Sequence, residues 1–231
     1  MKTIGLIGGL SWESTQEYYK LLNQITKEKA GKTHSARILM YSFDWAEIEV
    51  LLNKEDFKTI GKRLSEEAIK IEKAGAHCLM LCANTAHRWA DEVQQTIQIP
   101  IIHIANATGK HIAEKKIKNV LLLGTKYTME GDFIRKKIEM EYDIKVVVPE
   151  TKDRTTVHNI IYDELIRSKF LNSSKQRILD IINQTNGIEG VILGCTELPI
   201  LIKPQDCKLP LFDTTKLHAE AAVQFATQHL K

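Results

Sequence analysis

A chain of 231 residues, 43% of them hydrophobic and 26% charged, is long enough for one large or two small domains and has the composition of a globular protein. Its formal net charge of +3, from 32 basic and 29 acidic residues, is too even to suggest a nucleic-acid partner, and no basic cluster stands out. No apolar run approaches the ~20 residues of a membrane span, so no membrane partner is expected, and Met1–Lys2–Thr3–Ile4 leads into a strand pattern rather than a signal peptide.

The four cysteines, Cys78, Cys82, Cys195 and Cys207, follow neither zinc-ribbon spacing nor a dense disulfide pattern. A reduced, cytoplasmic compartment is expected. No metal-ligand cluster and no motif for a pyridoxal lysine stand out, so no cofactor is expected.

Thr3–Ile4–Gly5–Leu6–Ile7 reads as a strand ending in Gly8–Gly9, and Leu10–Ser11–Trp12–Glu13–Ser14 opens a helix that carries Tyr18, Tyr19, Leu21, Leu22 and Ile25 at helical spacing. The glycine spacing is not G-x-G-x-x-G, which argues against a dinucleotide fingerprint. Two readings remain: a plain βα turn, or close backbone approach to a small anion at the helix start. Ala36–Phe43 is the second strand, with Asp44 and Trp45 at its C-terminal end. Glu47–Lys73 is a helix-rich charged stretch closed by Gly75, a C-cap candidate. His77–Leu81 is the third strand, running into Cys82–Ala83–Asn84–Thr85–Ala86–His87. A helix around Arg88–Gln95 and a short fourth strand, Pro100–His103, follow.

The plan then restarts. Lys118–Leu123 ends in Gly124–Thr125, with a helix from Tyr127. Ile144–Pro149, Gly190–Leu193 and Pro210–Phe212 are the next strands, and a helix runs from about Thr215 to Leu230. The separations Gly8 to Ala83 and Gly124 to Cys195 are closely similar, and each half closes with a Pro–apolar–apolar strand followed by small residues, Ala105–Asn106–Ala107–Thr108 and Asp213–Thr214–Thr215. This predicts an α/β chain of two pseudo-symmetric βα domains, 1–103 plus 213–231 and 104–212, each with a parallel sheet covered by helices. Ligands of such sheets bind beyond the carboxyl ends of the strands, which places the expected active site in the cleft between the halves.

The second half carries the sharpest chemical signal. Val191–Ile192–Leu193 runs into Gly194–Cys195–Thr196–Glu197–Leu198–Pro199, where Thr196 suits a helix N-cap and Pro199 a first helical turn. Cys195 is therefore expected where a strand turns into a helix, and helix N–H groups and dipole there would lower the thiol pKa from its free value of about 8.5.

Four segments in order, Ile4-Gly5-Leu6-Ile7-Gly8-Gly9-Leu10-Ser11-Trp12-Glu13-Ser14-Thr15, Asn84-Thr85-Ala86-His87, Gly194-Cys195-Thr196-Glu197 and Phe212-Asp213-Thr214, resemble the aspartate/glutamate racemase family, whose members work without pyridoxal phosphate. The Ser-Trp-Glu-Ser-Thr opening is similar to the bacterial branch acting on L-aspartate and L-glutamate. The resemblance implies two acid–base positions on opposite faces of the substrate Cα, an acidic amino acid as substrate, and a homodimer. One position is Cys195. The other, directly before Asn-Thr, is normally cysteine, or threonine in that branch; here it is Ala83, which has no acid–base group. Cys82 does not replace it, because neighbouring strand residues face opposite ways, and a buried inert thiol is its expected role.

Ser11, Trp12, Asn84, Thr85, Thr196 and Glu197 are the strand-end candidates for substrate binding. By position in the family Leu10, Leu52 and Glu164 join them. Leu52 can only shape a pocket, and Glu164 is a candidate for the substrate ammonium with a solvated helix charge as the competing reading. His87 is expected to hold the Asn84 turn by a hydrogen bond rather than to act in catalysis. The functional expectation is an amino-acid racemase impaired by Ala83. A single-cysteine malonate-type decarboxylase and a non-catalytic dicarboxylic amino-acid binding module are the alternatives.

Overall fold

The computed structural model describes residues 1–31 and 33–228, so residue Leu230, the expected end of the last helix, lies outside the described residues. The chain divides into two units, Met1–His103 with His218–Lys231, and Ile104–Leu217. The second division falls inside the last helix rather than at the expected 212/213. Asp213 belongs with the second unit because it pairs with Leu193 in that unit's sheet.

The first unit runs β1 (Ile4–Gly8), α1 (Trp12–Ala30), β2 (Ile38–Ser42), α2 (Trp45–Asn53), α3 (Phe57–Lys73), β3 (Cys78–Leu81), a 3-10 turn (Thr85–Trp89) and α4 (Ala90–Gln94). Its sheet is parallel, ordered β2-β1-β3, with β1 central. The two-residue period of the strands sorts the core into two faces. Ile7, Leu79 and Leu81 pack with Ile48 and Leu52 of α2 and with Ile60, Leu64, Ala68 and Ile71 of α3. Ile4, Leu6, Cys78, Met80 and Cys82 pack with Tyr18, Leu22 and Ile25 of α1 and with Ala219, Ala222, Val223 and Ala226 near the C-terminus. The single charged stretch Glu47–Lys73 is two helices, because Glu55 takes a left-handed φ of 55° and the Asp56 carboxylate caps α3 at the Thr59 amide.

Pro100–His103 does not form a strand. It makes one parallel bridge, Leu79 to Ile101, in which the Leu79 amide donates to the Pro100 carbonyl and the Ile102 amide to the Leu79 carbonyl, both at 2.9 Å. Pro100 has no N–H with which to lengthen the ladder, and on the outer edge the Ile101 amide donates to the Gln94 side chain at 2.8 Å.

The second unit runs α5 (Ile104–Glu114), β4 (Asn119–Gly124), α6 (Lys126–Glu130), α7 (Asp132–Tyr142), β5 (Lys145–Val147), α8 (Thr151–Asn159), one turn of π-helix (Ile160–Glu164), a 3-10 turn (Leu165–Arg167), α9 (Asn172–Gln184), β6 (Gly190–Gly194), α10 (Leu198–Leu201), β7 (Leu211–Asp213) and the start of α11 (Thr214–Thr227). The parallel sheet has the order β5-β4-β6-β7. Again the first strand of the unit is interior and both faces are covered, by Val157, Ile161, Ile178 and Ile182 on one side and Ile104, Ile112, Ile134 and Ile138 on the other. Among the described residues no helix is long and apolar enough to cross a membrane, and all four cysteines are free thiols.

Candidate functional site

In the first unit the strand ends gather Leu10, Leu52 and Ala83 against one apolar cluster. Leu52 is a buried member of it; Leu10 and Ala83 are partly buried at its margin. Gly8–Gly9 does not make an anion cradle. Gly9 has φ 75°, and a Cβ there would lie 2.1 Å from the Phe43 carbonyl oxygen, so the close backbone approach is to the chain itself. The Gly9 amide donates to Thr15 Oγ1 at 2.9 Å, and the Gly8 carbonyl accepts from the Phe43 amide at 3.0 Å. The plain βα turn is what forms.

Ser11 is the N-cap of α1, its hydroxyl accepting from the Ser14 amide at 3.2 Å. Trp12, the next residue, is 63% exposed. The Ser14 hydroxyl reaches across to donate to the Cys82 carbonyl at 2.7 Å, a buried bond that ties the start of α1 to the end of β3. Asn84 is buried and Thr85 half-buried at the start of the 3-10 turn. Cys82 lies on the face opposite Ala83, fully buried, and burial alone drives its thiol pKa far up. Its neighbour on that face, Cys78, is likewise pushed up to about 12.

In the second unit, β6 delivers Cys195, Thr196 and Glu197 in sequence. The expected cap falls one residue later: Glu197, not Thr196, precedes α10, which is four residues long with Pro199 in its first turn. So short a helix has little dipole to offer. The Cys195 thiol donates to Glu197 Oε2 at 2.8 Å, and the Thr196 hydroxyl donates to the same oxygen at 2.8 Å. The expected lowering of the thiol pKa is therefore overturned. Burial raises it well above its ordinary value, and the charge and hydrogen bond of Glu197 raise it further, because a carboxylate beside a thiol disfavours the thiolate. Glu197 is buried and faces the thiol, so the structure places it as a partner of Cys195.

Glu164 ends the π-helical turn, and its carboxylate accepts a hydrogen bond from the hydroxyl of Ser174, a buried residue of α9. It is half-buried and anchored rather than solvated on a helix face. Sequence reasoning missed Ser174, Ser14 and Thr15 as second partners. The last two lie within the quoted Ser-Trp-Glu-Ser-Thr motif, whereas Ser174 is ten residues from Glu164 with no periodic signal between them. Among the described residues no group of three His, Cys, Asp or Glu side chains could hold a metal.

The family model for Asp/Glu/hydantoin racemase matches residues 7–222. The chain is 22% identical over 228 residues to the broad specificity amino-acid racemase RacX of Bacillus subtilis (strain 168), covering 95% of this chain and 96% of that one. Among solved structures, a candidate Asp/Glu racemase from Yersinia pestis superposes with a TM-score of 0.93 at 42% identity, over 99% of this chain and 100% of that chain. An aspartate racemase homologue from Pyrococcus horikoshii OT3 gives 0.87 at 37% identity, over 98% and 100%.

Proposed function

Because the chain belongs to the Asp/Glu/hydantoin racemase family, we propose that it is a pyridoxal-phosphate-independent amino-acid racemase scaffold for aspartate or glutamate, in which Cys195 is the acid–base residue and Ala83 leaves the opposite proton transfer without a side chain. The observation that carries this reading is the 2.8 Å hydrogen bond from the Cys195 thiol to Glu197. It holds the thiol in its protonated, proton-donating form at rest. To take a proton from Cα the thiol must first lose its own, and Glu197 is placed to receive it: the carboxylate becomes a carboxylic acid and the thiolate accepts the Cα proton. Reversal returns the proton to the same face.

With alanine at position 83 and Cys82 turned to the other face of the sheet, the proposed chemistry is one-sided: exchange of the Cα hydrogen with retention, and little inversion. Asn84, Thr85, Thr196, Ser11, Trp12, Leu10, Leu52 and Glu164 are the proposed binding residues, with Glu164 for the ammonium. The reading takes the protein as a cytoplasmic homodimer, a state that light scattering of the purified chain checks.

The test is proton NMR of L- and D-aspartate and glutamate in D2O with the chain and with its Ala83→Thr and Ala83→Cys variants, no cofactor added. Expected is deuterium uptake with retention by the unsubstituted chain and racemisation by the variants. Binding of these amino acids without any uptake in any form would favour a binding module; decarboxylation of a disubstituted malonate without uptake would favour a single-cysteine decarboxylase.

A further inference from the structure

Around the end of β3, three consecutive carbonyls leave the strand ladder. The Cys82 carbonyl accepts from Ser14 Oγ. The Asn84 carbonyl accepts from the His87 amide at 3.1 Å. Between them, the Ala83 carbonyl accepts from His87 Nδ1 at 3.0 Å. In a regular α-helical turn the carbonyl four residues back would take the amide of residue 87. Here the backbone tightens to a 3-10 turn, so that amide goes to Asn84, and the imidazole of the same residue fills the vacancy at Ala83. One histidine thus holds two successive carbonyls with two different donors.

The partner being a carbonyl, Nδ1 must carry the proton. The other ring nitrogen, Nε2, is buried and has no hydrogen-bond partner among the described residues. The ring is 2% exposed and meets His103 and His218 edge-on, at centroid distances of 4.8 and 5.2 Å. His218 is itself fixed as a neutral ring: Nε2 faces the Ile102 carbonyl and so donates, and Nδ1 takes the Tyr18 hydroxyl at 2.9 Å. A buried nitrogen with no partner is unfavourable, and an apolar ring would fill the same space without it. The polar contacts that the His87 side chain makes are to the backbone of this turn, at Ala83 and Asn84.

We propose that His87 is a positioning residue, whose Nδ1–H holds the residue-83 carbonyl and so fixes the direction of the residue-83 side chain and of the Asn84–Thr85 backbone for substrate. As far as it concerns substrate, the proposal rests on the racemase reading above. His87 itself touches no reacting atom. Its role is to keep a strand-end turn from relaxing, since sub-ångström to ångström displacements of a reacting position are enough to slow a proton transfer by large factors.

Asparagine places an amide nitrogen where histidine has Nδ1, whereas phenylalanine fills the volume and has no donor. The test is therefore made with His87→Asn and His87→Phe, each in the Ala83→Cys background. Expected is a fall in kcat for racemisation of about 10–100-fold for His87→Phe, with KM altered much less, and recovery to within about threefold for His87→Asn. Equal losses in both variants, or a change confined to KM, would overturn the proposal. A second measurement stands apart from catalysis. In the unsubstituted chain, nitrogen-15 spectra are expected to show His87 protonated at Nδ1, and amide exchange at residues 84–87 is expected to speed up in His87→Phe and not in His87→Asn. An Nε2-protonated ring, or unchanged exchange in His87→Phe, would overturn the proposal even if the racemase reading stands. Absence of racemisation in Ala83→Cys would sink that reading alone and leave these two spectra to decide.

Discussion

The thiol of Cys195 donates a hydrogen bond to the carboxylate of Glu197 at 2.8 Å, and Thr196 donates to the same carboxylate oxygen. In the proposed reaction Glu197 has two opposite tasks: its charge keeps the thiol protonated at rest, and its carboxylate receives the thiol proton when Cα is to be deprotonated. Glu197→Gln separates them. Alkylation of Cys195 by iodoacetamide is expected to be slower than that of a free cysteine at pH 8, and faster in Glu197→Gln, because removing the negative charge lowers the thiol pKa. Cα-hydrogen exchange in the same variant is expected to fall by about 100-fold, the usual weight of a lost proton acceptor. Mass spectrometry of the labelled peptide and NMR of the substrate read the two effects. If both rates rise, Glu197 is not the acceptor.

Cys195→Ala is expected to abolish exchange while leaving the fold, since the side chain is half-buried at a strand end and its loss opens little space. Circular dichroism and the NMR exchange assay together check this.

Acid is expected to weaken the first unit through its buried imidazoles. Burial lowers the His87 pKa from 6.5 to about 4, and His218 is lowered well below its ordinary value, by burial first and then by His87. A histidine whose folded pKa is depressed binds its proton in the unfolded chain first, so stability is full above pH 6.5 and is lost as the pH falls towards 4. His87 alone accounts for about 3 kcal/mol over that window. Urea midpoints measured from pH 8 to pH 4 should fall in this range, and His87→Phe should flatten part of the slope. His103, His218 and the Tyr18 hydroxyl are the titratable neighbours in the cluster, and none of them offers a negative charge at these pH values to offset the protonated ring.

Gly9→Ala is expected to destabilise the chain by about 3 kcal/mol or to prevent folding. The added methyl group meets the Phe43 backbone and the φ of 75° disfavours any L-residue. Gly75→Ala, at φ 100° with nothing within 4 Å of an added Cβ, carries the conformational cost without the clash and should lose less. Thermal melts of the two variants make the comparison.

The strands and the two-unit plan were legible because apolar runs such as Ile4–Ile7 and Val191–Leu193 are buried on both faces and bounded by glycine. The alternation that turns Cys82 away from Ala83 was legible for the same reason: the strand period continues past Leu81. What failed were inferences about backbone polar groups. Pro100–His103 has a strand's composition and bonds to Leu79 on either side of Ile101, but Pro100 has no N–H with which to lengthen that single bridge into a ladder. At Gly8–Gly9 the sequence left a plain turn and an anion loop both open, and the bonds to Thr15 and Phe43 that favour the plain turn are not visible in it. Thr196 is a good cap by type, yet the chain turns one residue later, and the helix that was to acidify Cys195 is a single turn. Each depended on a partner whose geometry no local pattern encodes. The link from Tyr18 to His218 spans 200 positions and left no trace in either neighbourhood.

The first unit closes with residues made after the whole of the second. Ala219, Ala222, Val223 and Ala226 cover the sheet face formed by Ile4, Leu6, Met80 and Cys82, yet the whole second unit is translated between His103 and His218. At ribosomal speeds of about 5–20 residues per second, that interval is of the order of ten seconds. During it the nascent chain carries a strand set whose one face is covered by α1 alone, leaving apolar surface of the kind that chaperones at the exit tunnel bind. Synthesis rate and chaperone supply should therefore govern the soluble yield of this protein more strongly than the thermodynamic stability of the finished fold.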